Sequence, residues 1–305
     1  MQNTERRGVI DLGTNTFHLL IADVSGSDIR EIYRERRYVK LASEGIHKIG
    51  AAPYQRGIAA LQHFSQILKE HDCTDVLAFG TAALRTASNG PDFAAEATRA
   101  TGIAITLIPG DEEARLITKG VLAAIPPLND QILVMDIGGG STEFIIADHG
   151  GVHFSQSFPI GVSVLKNEFH RSEPITWEET VTLQEHLRGV TQPLTDALKK
   201  YPATHLVGAA GTFDVLATVL TNPASPPHPT SHELELSGLT ELRETITRST
   251  LAERASIPGV PPERADMIVV AMILLDFVIQ LAGIERITVS DYAMKEGILL
   301  DRAAE

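Results

Sequence analysis

The stretch Ile132 to Asp148, ILVMDIGGGSTEFIIAD, decides how this chain is read. An apolar run ends at Asp136. Gly138-Gly139-Gly140 follow, then Ser141, Thr142 and Glu143, and the chain turns apolar again through Ala147. Two β-prone runs joined by a glycine-rich turn predict a hairpin. Glycines without Cβ let backbone N–H groups converge on an oxyanion, and Ser141 and Thr142 add hydroxyl donors. Asp136 and Glu143 flank the turn. Ionised carboxylates only accept hydrogen bonds, so beside a phosphate they need a cation between, most simply Mg²⁺. A purely structural hairpin has no use for two such acids.

Gly8 to Asp23, GVIDLGTNTFHLLIAD, echoes this stretch when Asp11 is set on Asp136, with one extra residue read into the second turn. A repeat at half the chain length implies two like domains and not a solenoid. The 305 residues suit two domains. The expectation is one phosphate-cradling hairpin per domain, the two facing across a cleft that takes a phosphate chain and a metal. The Pro126–Asp130 segment is the best boundary. It divides the chain into domains 1–126 and 127–305, with the last helix a candidate to pack back on the first.

Composition narrows the function. A hydrophobic share of 43% with 21% charged residues is ordinary for a globular protein and supplies two cores. Cys73 is the only cysteine, which excludes an internal disulfide framework and a cysteine-rich metal or iron–sulfur site. Residues 1–8 are polar, unlike a secretory signal. The apolar run Ile268–Ile284 carries Asp276 and Gln280 and reads as a buried helix, not a membrane span. A cytoplasmic protein with no membrane partner is expected. The net charge of −13 argues against nucleic acid, so any anion site must be local. His228 and His232 lie four apart, but within and just after the Pro-rich segment Asn222–Ser231, which reads as a surface loop or lid and not as a zinc site.

Residues 9–40 predict a three-stranded meander. Its third strand carries Arg30, Arg34, Arg36 and Arg37, read together as a solvated basic edge. Lys40, in the loop after that strand, is a substrate candidate. Tyr54–Glu70 has helical apolar spacing. Strand Asp75–Gly80, helix Pro91–Thr101, strand Ile103–Ile108 and a helix from Asp111 then alternate, which implies an α/β domain. Asp111, Glu112 and Glu113 open the last of these, as acids in a first turn do. In the second half a strand at Gly151–Phe158, a capping box at Thr176–Glu179 and a strand His205–Ala209 follow. The strand runs into Gly208-Ala209-Ala210-Gly211-Thr212 ahead of a helix, which is a phosphate-binding geometry. Helices at 240–253 and 262–282, a strand at 286–290 and a terminal helix at 291–304 complete the expectation.

The blocks IDLGTNTFHLLIA (10–22), FGTAALRTA (79–87), GDEEARLITKG (110–120), VMDIGGGSTEFII (134–146), GAAGTF (208–213), IPGVPPERADMIV (257–269) and VSDYAMKEGILL (289–300) are collinear over nearly the whole chain. On them the chain resembles the exopolyphosphatase and guanosine pentaphosphate phosphohydrolase family, within the actin, heat-shock chaperone and sugar kinase superfamily. The resemblance implies an α/β fold of two ribonuclease-H-like (actin-like ATPase) domains with an active-site cleft between them. It implies hydrolysis of a terminal phosphoanhydride with Mg²⁺, or another divalent cation such as Mn²⁺. By the family pattern Glu113 activates water, Asp136 and Glu143 serve metal and water with Asp11 nearby, and Arg85 faces the substrate phosphates. Gly13, Thr14, Asn15, Gly138, Gly139, Gly140, Ser141, Thr142, Gly211 and Thr212 match the phosphate-cradling turns. Larger relatives carry a further C-terminal helical domain that helps hold long polymer, so the expected substrate is short polyphosphate, with pppGpp as the alternative. A homodimer is implied. A small ATP-dependent kinase or a non-catalytic nucleotide sensor on the same fold are the competing readings.

Overall fold

The computed structural model describes residues 4–128, 130–220 and 228–302. The greater part of the Pro-rich segment read as a loop or lid lies outside the described residues, as does Asn129 of the boundary segment. Chain contacts divide the molecule into two compact units, Met1–Gly120 with Ala293–Glu305, and Val121–Tyr292.

In the first unit β1 (Glu5–Leu12), β2 (Thr16–Ser25) and β3 (Asp28–Tyr38) form the antiparallel meander. They lead to α1 (Ala51–Glu70), β4 (Asp75–Gly80), α2 (Ala82–Thr86), α3 (Gly90–Thr101), β5 (Ile105–Leu107) and α4 (Gly110–Ala124). The sheet order is β3-β2-β1-β4-β5, with β1, β4 and β5 parallel. Ile10, Leu12, Phe17 and Leu19 of the hairpin pack with Leu61 and Phe64 of α1 and Phe93 of α3. The α1 residues that reach this core, Ile58, Leu61, Phe64 and Leu68, recur every three or four positions, as one helix face requires. The helix begins before Tyr54 because Pro53 sits in its first turn, where a missing N–H is no loss.

The second unit begins with β6 (Ile132–Ile137), β7 (Thr142–Asp148) and β8 (Gly151–Phe158). Helices α5 (Val162–Phe169), α6 (Trp177–Val190) and α7 (Gln192–Lys200) precede β9 (His205–Ala209) and α8 (Gly211–Leu220). Then come β10 (Ser231–Leu234), α9 (Leu236–Arg248), α10 (Leu251–Arg254), a 3₁₀ turn (Pro262–Arg264), α11 (Ile268–Ala282) and β11 (Arg286–Ser290). The order β10-β11-β9-β6-β7-β8 repeats the first unit's topology and adds β10 on the edge. Helix α11 is apolar nearly all round and lies in the core, as such a helix must. The helix expected over 240–253 is cut in two, because Thr250 and Glu253 form a capping box that starts α10 afresh. Four-residue β10 and eight-residue α5 are too short to show a period. The capping box at Thr176 and Glu179 is formed. The final helix α12 (Met294–Arg302) belongs to the first unit.

The hairpins of the two units match position for position. Asp11 pairs with His18 across β1–β2, and Asp136 with Glu143 across β6–β7. Gly13 N–H donates to the Thr16 carbonyl at 3.1 Å and Gly138 N–H to that of Ser141 at 3.0 Å. The register between second and third strands shifts at the same place in each unit, between Ile21 and Ala22 and between Ile146 and Ala147. The extra residue read into the second turn is therefore not there.

Helix α12 is seated by glycine. A Cβ on Gly297 would lie 1.8 Å from the Leu116 carbonyl oxygen of α4, and one on Gly120 would lie 2.0 Å from that of Ala293. The two backbones touch, as only glycine allows. Arg115 and Lys119 of α4 both bond Asp301 of α12, at 2.7 and 2.9 Å.

Candidate active-site residues

In each unit the hairpin turn has its carbonyls taken from behind. The Thr14 carbonyl accepts from Leu41 N–H at 2.8 Å, and that of Asn15 from Val39 and Lys40 N–H, each at 2.9 Å. In the second unit the Gly138 carbonyl accepts from Val162 N–H at 3.0 Å and that of Gly139 from Ser163 N–H at 2.8 Å. A trans peptide directs its N–H opposite to its C=O. The N–H groups of Asn15 in the first unit and of Gly139 and Gly140 in the second therefore point away from these braces, each turn presenting its donors on its open side. Lys40 makes the first brace possible by adopting φ +50°, a left-handed backbone that is strained for lysine.

Across the second unit's sheet, Asp136 pairs with Glu143, so the two carboxylates share one face. Both are buried, at 7% and 1% exposure. Two adjacent buried carboxylates suit a hard divalent cation whose remaining ligands are water and phosphate oxygens, the usual Mg²⁺ arrangement. Among the described residues no three of His, Cys, Asp and Glu gather into a metal-holding group. A cation there would take part of its shell from the substrate. Thr142 is buried and donates to the Ile160 carbonyl at 3.0 Å, which fixes the strand and not a ligand. Ser141 is also buried.

The first unit separates the three acids that open α4. Asp111 is exposed and Glu112 pairs with Arg115 at 2.8 Å, whereas Glu113 is buried. Arg85 Nη1 donates to Glu113 Oε2 at 3.0 Å and to the Ile108 carbonyl at 2.8 Å. Arg85 is thus an orienting partner of Glu113 in this structure, a role its block did not reveal.

Asp11 stands beside two residues that the sequence reading quoted but did not assign, Lys295 and Glu296 of α12. Loss of hydration pushes the Asp11 carboxyl up to about 6, a rise that Lys295 opposes and Glu296 reinforces. Lys295 is buried and Glu296 fully so. Glu296 accepts from Arg34 at 2.8 Å and from Ala293 N–H at 2.9 Å. Arg34 is therefore not the bare solvated edge charge expected of it: it neutralises a buried acid. Arg30 and Arg37 pair with Asp23 and Glu35.

At the start of α8, Ala210 holds φ +65° between β9 and the helix. A Cβ on Gly211 would lie 2.0 Å from the Arg264 guanidinium, so that cation lies over the helix N-terminus, with Thr212 buried beside it. A helix N-terminus and an arginine together favour a phosphate. Arg264 is the other residue whose position the sequence could not supply.

The sequence model of the Ppx/GppA phosphatase family matches residues 20–305. A crystal structure of an exopolyphosphatase from Cytophaga hutchinsonii is 37% identical, with a TM-score of 0.94 over 98% of each chain. The Aquifex aeolicus member of the Ppx/GppA family shares the fold at 24% identity and a TM-score of 0.80, over 99% of this chain and 98% of its own.

Proposed function

This chain belongs to the Ppx/GppA phosphatase family and is a phosphoanhydride hydrolase, and from that premise we propose that it is an exopolyphosphatase releasing orthophosphate from the end of a polyphosphate chain. The observation that carries the reading is buried Glu113 held by Arg85. A buried carboxylate set at a helix start and gripped by an arginine is placed to orient or deprotonate water.

Phosphoryl transfer proceeds through a loose transition state with charge on the equatorial oxygens, so positioning and electrostatics do most of the work. Asn15 in one unit and Gly139 and Gly140 in the other supply N–H groups that bind phosphate oxygens, in turns built by Gly13 and Thr14 and by Gly138, Ser141 and Thr142. Gly211 and Thr212 add the N-terminus of α8, and Lys40 adds a cation. Asp136 and Glu143 of the second unit would hold Mg²⁺ or Mn²⁺, and Asp11 is the first unit's own candidate ligand. Such an ion supplies charge neutralisation at the scissile phosphoanhydride. The proposal extends to a cytoplasmic homodimer with no membrane or nucleic-acid partner. Among the described residues no helix is long and apolar enough to cross a membrane.

The test is orthophosphate release, with Mg²⁺, from tripolyphosphate, long polyphosphate and pppGpp in parallel, by wild type and Glu113→Gln. Short polyphosphate is expected to be preferred, and Glu113→Gln to fold and bind substrate while turnover falls about a thousandfold, within the range typical of a lost general base. Full turnover by the variant would overturn the assignment of Glu113. Preference for pppGpp would move the substrate to the alarmone.

A further inference from the structure

We propose that Ser157 is a positioning residue for the Glu143 carboxylate and, through it, for the divalent cation. The inference rests on the reading that Asp136 and Glu143 hold that cation. Ser157 lies directly opposite Glu143 across β7–β8, as Glu143 lies opposite Asp136 across β6–β7. Cross-strand partners share a face, so acid, acid and hydroxyl form one row over three strands. Ser157 Oγ donates to Glu143 Oε1 at 2.6 Å, the length of a charge-assisted O–H···O⁻ bond.

Local chemistry gives this bond its weight. The last torsion of a glutamate is soft and roughly two-fold, so an unrestrained carboxylate samples many orientations. Glu143 is 1% exposed, so bulk water has little access to replace a lost donor. With Oε1 held by the hydroxyl, the carboxylate plane is set. Groups that orient a metal's ligands in this way are a substantial part of the site's affinity.

The register that delivers Ser157 is itself built. The strands slip by one residue at the bulge between Ile146 and Ala147, where Ala147 pairs with Val152 and Ile146 with Phe154. Without that slip Glu143 would face Gln156. The corresponding row of the first unit, Asp11, His18 and Arg36, has one acid and two basic side chains. The same backbone frame thus carries an acidic row in one unit and a basic one in the other, and only the acidic row has the composition of a cation site.

The experiment compares Ser157→Thr with Ser157→Val in the full chain, with Glu143→Gln as reference. Threonine and valine are nearly isosteric and both suit a strand, so the pair isolates the hydroxyl. Mn²⁺ binding without substrate is read by electron paramagnetic resonance, and stability by thermal unfolding. Ser157→Val is expected to bind Mn²⁺ some 10–100-fold more weakly, the range for lost outer-shell partners, at an unchanged melting temperature. Ser157→Thr should stay within about threefold of wild type, since its hydroxyl is kept. In phosphate release, kcat should fall in the valine variant with KM little changed. Wild-type Mn²⁺ affinity in Ser157→Val, with Glu143→Gln weakened, overturns the role of Ser157 alone. Unchanged affinity in Glu143→Gln overturns the metal reading of Glu143, and this proposal with it.

Discussion

Replacing glycine by alanine should have opposite effects in two helices of this protein. At Gly297 the new Cβ would meet the Leu116 carbonyl oxygen at 1.8 Å. Ordinary contact needs about 3.5 Å, so α12 must move from α4 by roughly 1.5 Å or more. Backbone atoms cannot rotate aside, and overpacking of this kind costs about 2–3 kcal/mol. That corresponds to a melting temperature lower by roughly 10 °C for a unit of this size. At Gly189, on exposed α6, nothing lies within 4 Å of the added atom. There alanine only removes the entropy cost of glycine and should stabilise by about 0.5 kcal/mol. Thermal and urea unfolding measure both, and hydrogen exchange assigns the loss to a unit. Gly297→Ala should speed exchange in α4 and α12 and leave α6 protected. It should also lower phosphate release at least tenfold, since α12 sets Lys295 and Glu296 beside Asp11, and misplacement of about 1 Å can cost a hundredfold. A Gly297→Ala protein as stable as wild type would refute the close-approach reasoning.

Two further outcomes are expected. Burial and nearby Arg286 hold His205 down to about 4. A histidine depressed in the folded state contributes stability that is whole above its unfolded value near 6.5 and is lost as pH falls toward 4. With its partial exposure discounted this is about 2 kcal/mol. His205→Gln should therefore flatten the loss of urea midpoint between pH 7 and 4.5, and an unflattened profile would count against it. Lys295→Met removes the cation that keeps Asp11 from rising further, so turnover should fall about tenfold or more while the melting temperature stays near wild type. Undiminished kcat in a phosphate-release assay would remove Lys295 from the site.

The two hairpins were legible because their chemistry is local. A carboxylate, a turn and two apolar runs lie within seventeen consecutive residues, Ile132–Asp148, and alternation reports the strand directly. The helix of Tyr54–Glu70 was legible for the same reason, and the buried helix of 268–282 from its all-round apolarity. Glu113 was marked as an acid at a helix start. Its burial, which separates it from Asp111 and Glu112, depends on Arg85 and Ile108, residues brought in by α2 and the end of β5. The single helix expected over 240–253 failed because Thr250 and Glu253 cap a second start, a signal the chain carried and the reading passed over.

By itself the sequence determined that the chain is a duplicated α/β protein with glycine-rich hairpin turns and paired carboxylates. Those properties follow from neighbours in the chain, where periodicity and turn chemistry act. Tertiary structure alone supplied the glycine contact that seats α12, whose return to the first unit the sequence had offered as a candidate, and placed Lys295 and Glu296 by Asp11. It also decided that Arg34 answers a buried acid, that Arg264 covers Gly211, and that a bulge sets Ser157 against Glu143. Each joins residues far apart in the chain or turns on strand register, and depends on backbone separations of an ångström or two, which composition and spacing do not encode.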